Sequence, residues 1–321
     1  LMSLLSRPGS VCDCYTYMAM AGAKVLLLEK AVYPRDKTCG DAVGGKSLKH
    51  VEELGVKATL EQTNHFRVDG IIFGAPNGKE VRISLPEDEV ENREAGYSLP
   101  RKQFDSLLFR NANEKVLETG GSVVQNFSVK EVHVEDGAIT GVSGIHDKNS
   151  YHFSAPLTIG AGGYNCPVAR TVVAEFDEPM VDKKHYCGAY REYWTGVEGC
   201  EDWKGAIEIH FIDGVIPGYF WIFPVGNGVV NVGIGMVIAE MDKLPRTKHN
   251  LDGCVFDCLE LPPSGGTSKM FKLQIQGTFD EITPHGQVGS TRLFHRTMAQ
   301  NSSRPENRAC KSACRRGVRL G

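Results

Sequence analysis

Glu29 follows the apolar run at residues 23–28, a position from which an acidic side chain can do chemistry. In a nucleotide-binding β-α-β unit, an acid at the carboxyl end of the second strand accepts the ribose hydroxyls of an adenosine, provided that a glycine turn and a helix come before it. We therefore predict that Glu29 contacts a nucleotide. A solvated carboxylate at a strand end is the alternative interpretation.

A second segment, residues 33–45, combines cationic side chains, a thiol and glycines. Arg35 and Lys37 could neutralise phosphate, and glycines such as Gly40 let the backbone approach a flat ligand closely. Cys39 lies between the cations and the glycines, where a thiol could act as a proton donor or as a modulator of a nearby group. A flexible surface loop is the alternative interpretation of this segment.

A third segment begins with a short buried strand at residues 157–159 and continues into Gly160, Ala161 and Gly162. A strand that leads into a glycine cluster is one way in which a fold brings backbone against a cofactor. Residues 168–170 then open the next element. A glycine loop alone is a weak signal, so an ordinary connection stays open as an alternative.

A fourth segment carries aromatic side chains at alternate positions. Tyr219, Trp221 and Phe223 share one face of a predicted strand that ends at Pro224, because successive side chains of a strand point to opposite faces. Three aromatic rings on one face could form the wall of an apolar pocket. The alternative is a stripe of core residues, which is the more common use of such a pattern.

The hydrophobic pattern around these segments predicts an α/β fold. A helix at residues 15–21 followed by the apolar strand at 23–28 is typical of the second half of a β-α-β unit in a parallel sheet that is covered on both faces. The first strand and two of the three glycines of the expected turn are not found, because residues 7–11 read Arg-Pro-Gly-Ser-Val instead of GxGxxG.

Later parts of the chain alternate between predicted helices and predicted strands. We predict a loop at 31–46, helices at 48–54 and 101–119, antiparallel strands within 66–99, a hairpin within 122–141, and strands at 188–194, 207–212, 219–224 and 229–237. The strands of 66–99 and 186–237 are expected to form one broad antiparallel sheet. Two domains that are interleaved in sequence follow from this arrangement.

Composition and charge exclude several classes of function. The 321 residues are 41% hydrophobic and 23% charged, which excludes wholesale disorder and fibrous repeats. No run approaches the roughly 18–20 apolar residues that cross a bilayer. The net charge of −3 provides no global attraction for nucleic acid, so we predict no nucleic-acid partner. The ten cysteines lack zinc-finger spacing, so no metal site is predicted.

In order along the chain, the four segments resemble the geranylgeranyl reductase family, within the flavoproteins similar to para-hydroxybenzoate hydroxylase. The resemblance is carried by residues 22–30, 34–43, Arg101 with Phe104 and Asp105, 159–161 with 168–170, and 219–224. The run Tyr-x-Trp-x-Phe-Pro is the most specific of these, because it separates prenyl reductases from aromatic hydroxylases. The resemblance covers about residues 15 to 243.

The resemblance implies a Rossmann-like FAD-binding domain interleaved with an antiparallel-sheet substrate domain, α+β overall. The domains would comprise residues 1–65 and 97–180 for FAD, 66–96 and 181–245 for substrate, and a divergent, poorly ordered segment at 246–321. The implied cofactor-binding residues are Glu29, Lys30, Arg35, Cys39, Gly40, Asp41, Arg101, Gly160, Ala161 and Gly162. Cys39 would be catalytic, and the implied substrate-binding residues are Tyr219, Trp221, Phe223 and Pro224.

The implied activity is the saturation of carbon–carbon double bonds in geranylgeranyl chains by hydride transfer from reduced FAD. NAD(P)H or ferredoxin would reduce the flavin, and the partner would be a prenyl lipid. We expect a cytoplasmic location; transient contact with a membrane surface is compatible with a lipid substrate. The oligomeric state stays open.

The family pattern is incomplete at both ends, and alternatives follow from this. The glycines expected at residues 7–11 are missing, and residues 289–296 lack the Gly-Asp-Ala motif that holds the flavin ribityl and phosphate in the family. One alternative is a flavin monooxygenase or halogenase of the same fold. Another is a non-catalytic remnant that no longer holds FAD. The basic stretch at 285–321, with eight Lys or Arg against one acidic residue, suits either an anionic surface or an unstructured end.

Overall fold

The computed structural model describes residues 2–6, 10–84, 96–176, 184–197, 199–200, 202, 204–213, 215–241 and 293–295. Within these ranges, strands and helices alternate in the first two thirds of the chain. The helices are α1 (Ser10–Met20), α2 (Lys46–Glu53), α3 (Lys57–Glu61), α4 (Arg101–Glu118), α5 (Pro167–Ala174) and α6 (Ile238–Met241). A single 3-10 turn, Gly163–Asn165, precedes α5.

The strands of the described residues fall into three sheets. They are β1 (Met2–Ser6), β2 (Val25–Glu29), β3 (Ala42–Gly44), β4 (Phe66–Gly74), β5 (Glu80–Ser84), β6 (Gly96–Ser98), β7 (Ser122–Val124), β8 (Ser128–Glu135), β9 (Ala138–His146), β10 (Asn149–Ser154), β11 (Leu157–Ala161), β12 (Cys187–Thr195), β13 (Lys204–His210), β14 (Tyr219–Gly226), β15 (Val229–Val237) and β16 (Leu293–His295).

A parallel sheet with the order β11-β1-β2-β7 forms the first part of the fold. Val25 and Leu27 of β2 face a core that contains α1 and α4, whereas Leu26 and Leu28 face a second core with Phe127. The strand is therefore buried on both sides, as its continuous apolar run predicts. A glycine pair after α4 leads into β7, whose first residue, Ser122, pairs with Leu26.

The first strand of this sheet corrects the sequence analysis, which found none before the first helix. β1 lies in the middle of the parallel sheet, with Leu4 paired to both Leu27 and Ile159. Five residues are too few to show a hydrophobic period, so the strand is specified by pairing with its two neighbours rather than by its own pattern.

The second large sheet has nine strands, in the order β16-β12-β15-β14-β13-β4-β6-β3, with β5 paired to β4. Most neighbours are antiparallel, as predicted, but β4 and β13 run parallel, and so do β12 and β16. A hairpin forces its two strands to be antiparallel, whereas β4 and β13 come from distant parts of the chain and are free of that constraint. A three-stranded antiparallel sheet, β10-β9-β8, completes the fold.

The segment predicted as a loop at residues 31–46 contains one strand. β3 pairs with β6 and so belongs to the nine-stranded sheet, although it follows β2 of the parallel sheet in sequence. Residues 30–41 therefore connect the two sheets. The domain boundaries given above stay a prediction, and residues 246–292 and 296–321 lie outside the described residues.

Candidate functional site

The carboxyl edge of the parallel sheet brings two of the predicted segments together. Ser6, the last residue of β1, is in register with Glu29 on one side and with Ala161 on the other. Glu29 is 2% exposed, and its Oε1 accepts a hydrogen bond from the Ala31 amide at 2.7 Å. Lys30, directly after it, is exposed. The predicted nucleotide acid and the predicted glycine segment thus end at one edge.

The glycines after β11 allow close packing of strand against helix. A Cβ on Gly160 would lie 2.7 Å from the Cβ of Val168 in α5, and a Cβ on Gly162 would lie 3.1 Å from Cys166. At these distances a side chain would push the helix away from the strand. Gly160 and Gly162 therefore have a structural reason to be glycine, beside the predicted role of the segment in cofactor binding.

The residues at this edge fit the nucleotide half of FAD. A buried carboxylate suits ribose hydroxyls, and the glycine segment leaves backbone without side chains. α1 begins at Ser10, four residues after the end of β1, so its N-terminal amides lie at the same edge, where they favour a phosphate. If FAD binds here, Glu29 and the segment Gly160–Gly162 are the residues that would hold it. Residues 7–9, between β1 and α1, lie outside the described residues.

The segment after β2 is fixed to α4 by two arginines that share one acid. Asp105 is fully buried, and its Oδ1 accepts from Arg101 Nε at 2.8 Å. Its Oδ2 accepts from Arg101 Nη2 at 3.1 Å and from Arg35 Nη2 at 3.0 Å. Although burial disfavours the charge, the Asp105 carboxylate raises the pKa of Arg101. The Arg101 side chain also hydrogen-bonds Cys39.

The same segment is fixed to the nine-stranded sheet by a second ion pair. Arg191 of β12 donates from Nη2 to both carboxylate oxygens of Asp36, at 2.6 and 2.8 Å, and to the Lys37 carbonyl at 3.2 Å. Its guanidinium carbon lies 4.2 Å from the ring centre of Tyr193. Burial and the neighbouring Arg101 lower the pKa of Lys37. Cationic side chains from the nine-stranded sheet and from α4 therefore lie beside residues 35–39.

Asp41 is the most enclosed acid of the segment, with no exposed surface. Its Oδ2 accepts from the Tyr193 hydroxyl at 2.5 Å and from Asn231 Nδ2 at 2.7 Å, while its Oδ1 accepts from the Arg101 amide at 3.2 Å. Burial raises the pKa of Asp41 to about 6, although the donors and the charge of Arg191 oppose the increase. Asp41 is thus held by groups from three separate elements.

The aromatic face of β14 contacts this segment directly. A Cβ on Gly40 would lie 2.8 Å from Cε2 of Phe223 and 3.6 Å from Nε1 of Trp221. Trp221 Nε1 donates to Asn231 Oδ1 at 2.9 Å, and Asn231 Nδ2 donates to the Cys39 carbonyl at 2.7 Å. Gly40 therefore permits a contact that any other residue would prevent.

The predicted substrate residues differ in exposure. Trp221 and Phe223 belong to a core cluster with Phe66, and Pro224 is buried as well. Tyr219 is 41% exposed, with its ring centre 5.9 Å from that of Trp221. The aromatic face of β14 therefore extends from the exposed Tyr219 inward to Gly40, and Trp221 and Phe223 are also core residues.

An apolar cavity of about 340 Å³ opens beside the segment. Its volume lies in the range of ligand pockets, about 300–1,000 Å³. It is lined by Ala42, Val43, Gly44, Gly45, Val68, Gly70, Ile71, Ile83, Ser84, Gly96 and Ile207. The four predicted substrate residues are not part of this lining, but Val68 and Ile207 pack in the same cluster as Trp221 and Phe223. The cavity and the aromatic face therefore share a wall of buried side chains.

Four residues of this arrangement were not predicted from the sequence to be functional. Asp105 lies four positions after Arg101 in one helix, a spacing that places the two side chains together and could have found the pair. Asn231 is a polar residue inside an apolar strand, which is a weaker signal. Tyr193 and Arg191 carry no signal, because only the pairing of β12 with β15 brings Tyr193 opposite Asn231.

Comparison with known proteins finds relatives of this chain. The profile of the geranylgeranyl reductase catalytic domain matches residues 186–265, which contain Arg191, Tyr193 and the aromatic face. Digeranylgeranylglycerophospholipid reductase 1 of Methanothermobacter thermautotrophicus is 30% identical over 229 residues, covering 71% of this chain and 53% of the relative. The chain belongs to the geranylgeranyl reductase family. Menaquinone reductase of Mycobacterium tuberculosis (strain ATCC 25618 / H37Rv) is 28% identical over 221 residues, covering 68% and 50%.

Solved structures share the fold of this geranylgeranyl reductase family member. A geranylgeranyl bacteriochlorophyll reductase-like protein from Thermoplasma acidophilum has a TM-score of 0.61 at 21% identity, covering 74% of this chain and 56% of that protein. A triple mutant of a flavin-dependent brominase has a TM-score of 0.61 at 16% identity, covering 75% and 58%. These likenesses show that the fold is shared. The chain spans about half the length of the curated relatives it matches.

Three further findings concern a second profile match, membrane-spanning helices and metal sites. The profile of the NTF2 domain of nuclear RNA export factors matches residues 228–310, of which the structure describes 228–241 and 293–295. Across the described ranges, no helix has the length and apolar character to span a bilayer. Nor do three or more His, Cys, Asp or Glu side chains of the described residues converge as a metal site.

Proposed function

We propose that this geranylgeranyl reductase family member is an FAD-dependent reductase that saturates carbon–carbon double bonds of isoprenoid chains on a prenyl lipid. The observation that carries the proposal is the contact of the aromatic face, Trp221 and Phe223, with Gly40, next to Cys39. This contact joins the apolar wall to the segment that continues from Glu29 and carries Cys39. A long apolar substrate beside a nucleotide cofactor needs that combination.

The residues of this site would have distinct tasks in the reaction. Saturation adds one hydride and one proton to an alkene, and reduced FAD, when bound, supplies the hydride. Cys39 Sγ would hold the proton, with the Arg101 guanidinium beside it to orient the thiol. An alkene carries little charge for polar groups to stabilise, so alignment and exclusion of water would contribute most. Trp221 and Phe223 would provide the dry surface against which the chain aligns.

The first experiment asks whether the chain binds FAD. We expect the purified protein with added FAD to show a flavin absorption band that persists through gel filtration. We expect Glu29→Gln to weaken FAD binding by about tenfold or more, since a charge-assisted hydrogen bond contributes about 1.5–3 kcal/mol. Glu118→Gln, an exposed acid on α4, is the matched control and should bind FAD as the native chain does. Absence of a flavin band would favour the non-catalytic remnant.

The same sample distinguishes the two enzymatic alternatives. Anaerobic saturation of a geranylgeranyl lipid by the reduced protein would support the reductase. Consumption of oxygen coupled to NAD(P)H oxidation would support a flavin monooxygenase or halogenase instead. Comparing NAD(P)H with reduced ferredoxin in the anaerobic assay would identify the electron donor. Sedimentation with lipid vesicles would test transient contact with a membrane surface.

We propose that the apolar cavity takes part of the isoprenoid chain. Burying each methylene contributes about 0.8 kcal/mol, so an apolar chain gains from a cavity of this kind. We expect Ile83→Asp, which places a carboxylate at the cavity wall, to raise KM for a prenyl lipid by about tenfold, with little change in kcat. Ile83 is 59% exposed, so folding should tolerate the change.

Val81→Asp provides the matched control for the cavity. Val81 lies two residues before Ile83 on β5 and is 61% exposed, but it is not part of the cavity lining. The two variants therefore add the same charge to the same strand. Equal KM values for the two variants would contradict the assignment of the cavity to the substrate.

A further inference from the structure

We propose that Asp41 is a positioning residue, which fixes the Cys39 backbone and the Trp221 ring through Asn231, rather than a ligand of the cofactor. This inference rests on the proposed function, since Cys39 and Trp221 are the groups that would meet the substrate. Asp41 has no exposed surface, and both of its carboxylate oxygens already accept hydrogen bonds from protein groups. Its contacts are with protein donors.

The hydrogen bonds around Asp41 have a fixed direction. The Arg101 amide and the Asn231 Nδ2 group can only donate, and both point at Asp41 oxygens. Tyr193 donates its hydroxyl proton to the same oxygen as Asn231. A carboxylate accepts from all three donors at once. An amide or a protonated carboxyl at this position would direct a hydrogen at one of them.

Asn231 transmits the position of Asp41 to two groups of the proposed reaction. Its Nδ2 donates to Asp41 Oδ2 and to the Cys39 carbonyl, both at 2.7 Å. Its Oδ1 accepts from Trp221 Nε1 at 2.9 Å. With the amide fixed by Asp41, its oxygen must face Trp221 and its nitrogen must face Cys39. One carboxylate therefore sets the orientation of the thiol segment and of the aromatic wall.

The backbone at Asp41 supports this reading. Asp41 has a φ of 72°, in the left-handed region that residues other than glycine seldom adopt. Such a conformation persists where the surroundings determine it, and here the donors come from α4, β12 and β15. The turn between Gly40 and β3 is therefore held by side chains from two neighbouring strands of the nine-stranded sheet and by a backbone amide of α4.

The test measures how freely Cys39 reacts. We expect Asp41→Asn and Asn231→Ala each to increase the rate of Cys39 alkylation by iodoacetamide at least fivefold, as measured by peptide mass spectrometry. Cys187, which is exposed, is the reference thiol in the same sample and should react unchanged. Because Asn231→Ala alters no charge, an increase in both variants excludes a purely electrostatic effect on the thiol.

Glu192→Gln provides the matched control. Like Asp41, Glu192 is a buried acid that accepts a hydrogen bond from a tyrosine. It lies on β12, and its partners Tyr190 and Trp194 share its face of the strand, opposite to the face that carries Arg191 and Tyr193. We expect Cys39 of the Glu192→Gln variant to be alkylated at the same rate as Cys39 of the native chain. An equal increase in Glu192→Gln, or none in the Asp41 and Asn231 variants, would overturn the inference.

The FAD-loaded protein provides a second readout. We expect Asp41→Asn to bind FAD and to keep KM for a prenyl lipid within about twofold, while kcat falls at least tenfold. A loss of FAD binding with Cys39 alkylation unchanged would make Asp41 a cofactor ligand and overturn the inference. Should the native chain reduce no alkene, the proposed function fails while the alkylation experiment still decides the role of Asp41.

Discussion

Asp105→Leu is expected to lower the free energy of unfolding by about 3–5 kcal/mol, the largest effect of any single substitution in the described residues that we consider. Asp105 is fully buried, and the Arg101 side chain beside it is 9% exposed. Removal of the acid leaves the Arg101 guanidinium charged in a place that water does not reach. Arg35 loses a bond as well, but it keeps the Tyr33 hydroxyl at 3.1 Å.

A double variant separates the uncompensated charge from the loss of packing. Arg101→Met with Asp105→Leu removes both charges and keeps apolar volume, so we expect it to regain much of the lost stability. The exposed pair Lys115–Glu118 on the same helix gives the control, and Glu118→Leu should alter stability by less than about 1 kcal/mol. Urea unfolding followed by circular dichroism measures all three. Equal losses in Asp105→Leu and Glu118→Leu would contradict the prediction.

A strand or helix is predicted well from sequence when the pattern of its own residues shows which of its faces are buried. Residues 25–28 are all apolar because both faces of β2 are buried, and the strand at 229–237 has the predicted bounds. β1 was missed because its five residues depend on their neighbours. The parallel pairing of β4 with β13 was missed because no local feature sets the relative direction of strands that are distant in sequence.

The residues of the candidate site also fall into those that a local sequence pattern predicts and those that it does not. Glu29, Cys39 and Trp221 could be selected from residue type and spacing, since strand ends, glycine-rich segments and alternating aromatic residues are local patterns. Tyr193 and Asn231 could not, because their role comes from the register of two strands and from the Asp41 turn that reaches them. Residue type indicates which groups can do chemistry, whereas the hydrogen-bonding partners that orient them come from tertiary pairing.

The stability of Asp41→Asn relative to the native chain is expected to depend on pH. Burial raises the folded pKa of Asp41 to about 6, above its ordinary value of 3.8. Protonation of the Asp41 carboxylate is therefore more favourable in the folded state than in the unfolded state. The stabilisation from that proton is complete below about pH 4 and is lost as the pH rises through about 6.

Asparagine does not titrate, so the difference between the two proteins isolates this one group. Each pKa unit corresponds to about 1.4 kcal/mol. As the pH rises from 4 to 8, the free energy of unfolding of Asp41→Asn should therefore increase by about 2–3 kcal/mol relative to that of the native chain. Urea unfolding at intervals of one pH unit measures the difference. A difference that stays constant across this range would contradict the raised pKa.

A second substitution tests the cause of the titration. The Tyr193 hydroxyl donates to the charged form of Asp41 and so opposes the effect of burial. Tyr193→Phe removes that donor, and we expect the midpoint of the pH dependence to move to higher pH. The charge of Arg191 from β12 and the backbone amide of Arg101 from α4 act on the Asp41 pKa in the same direction as the Tyr193 hydroxyl, and both stay in place in this variant. A carboxylate kept ionised at neutral pH against its own burial reduces stability, and the orientation that it imposes on Asn231 is the corresponding gain for the site.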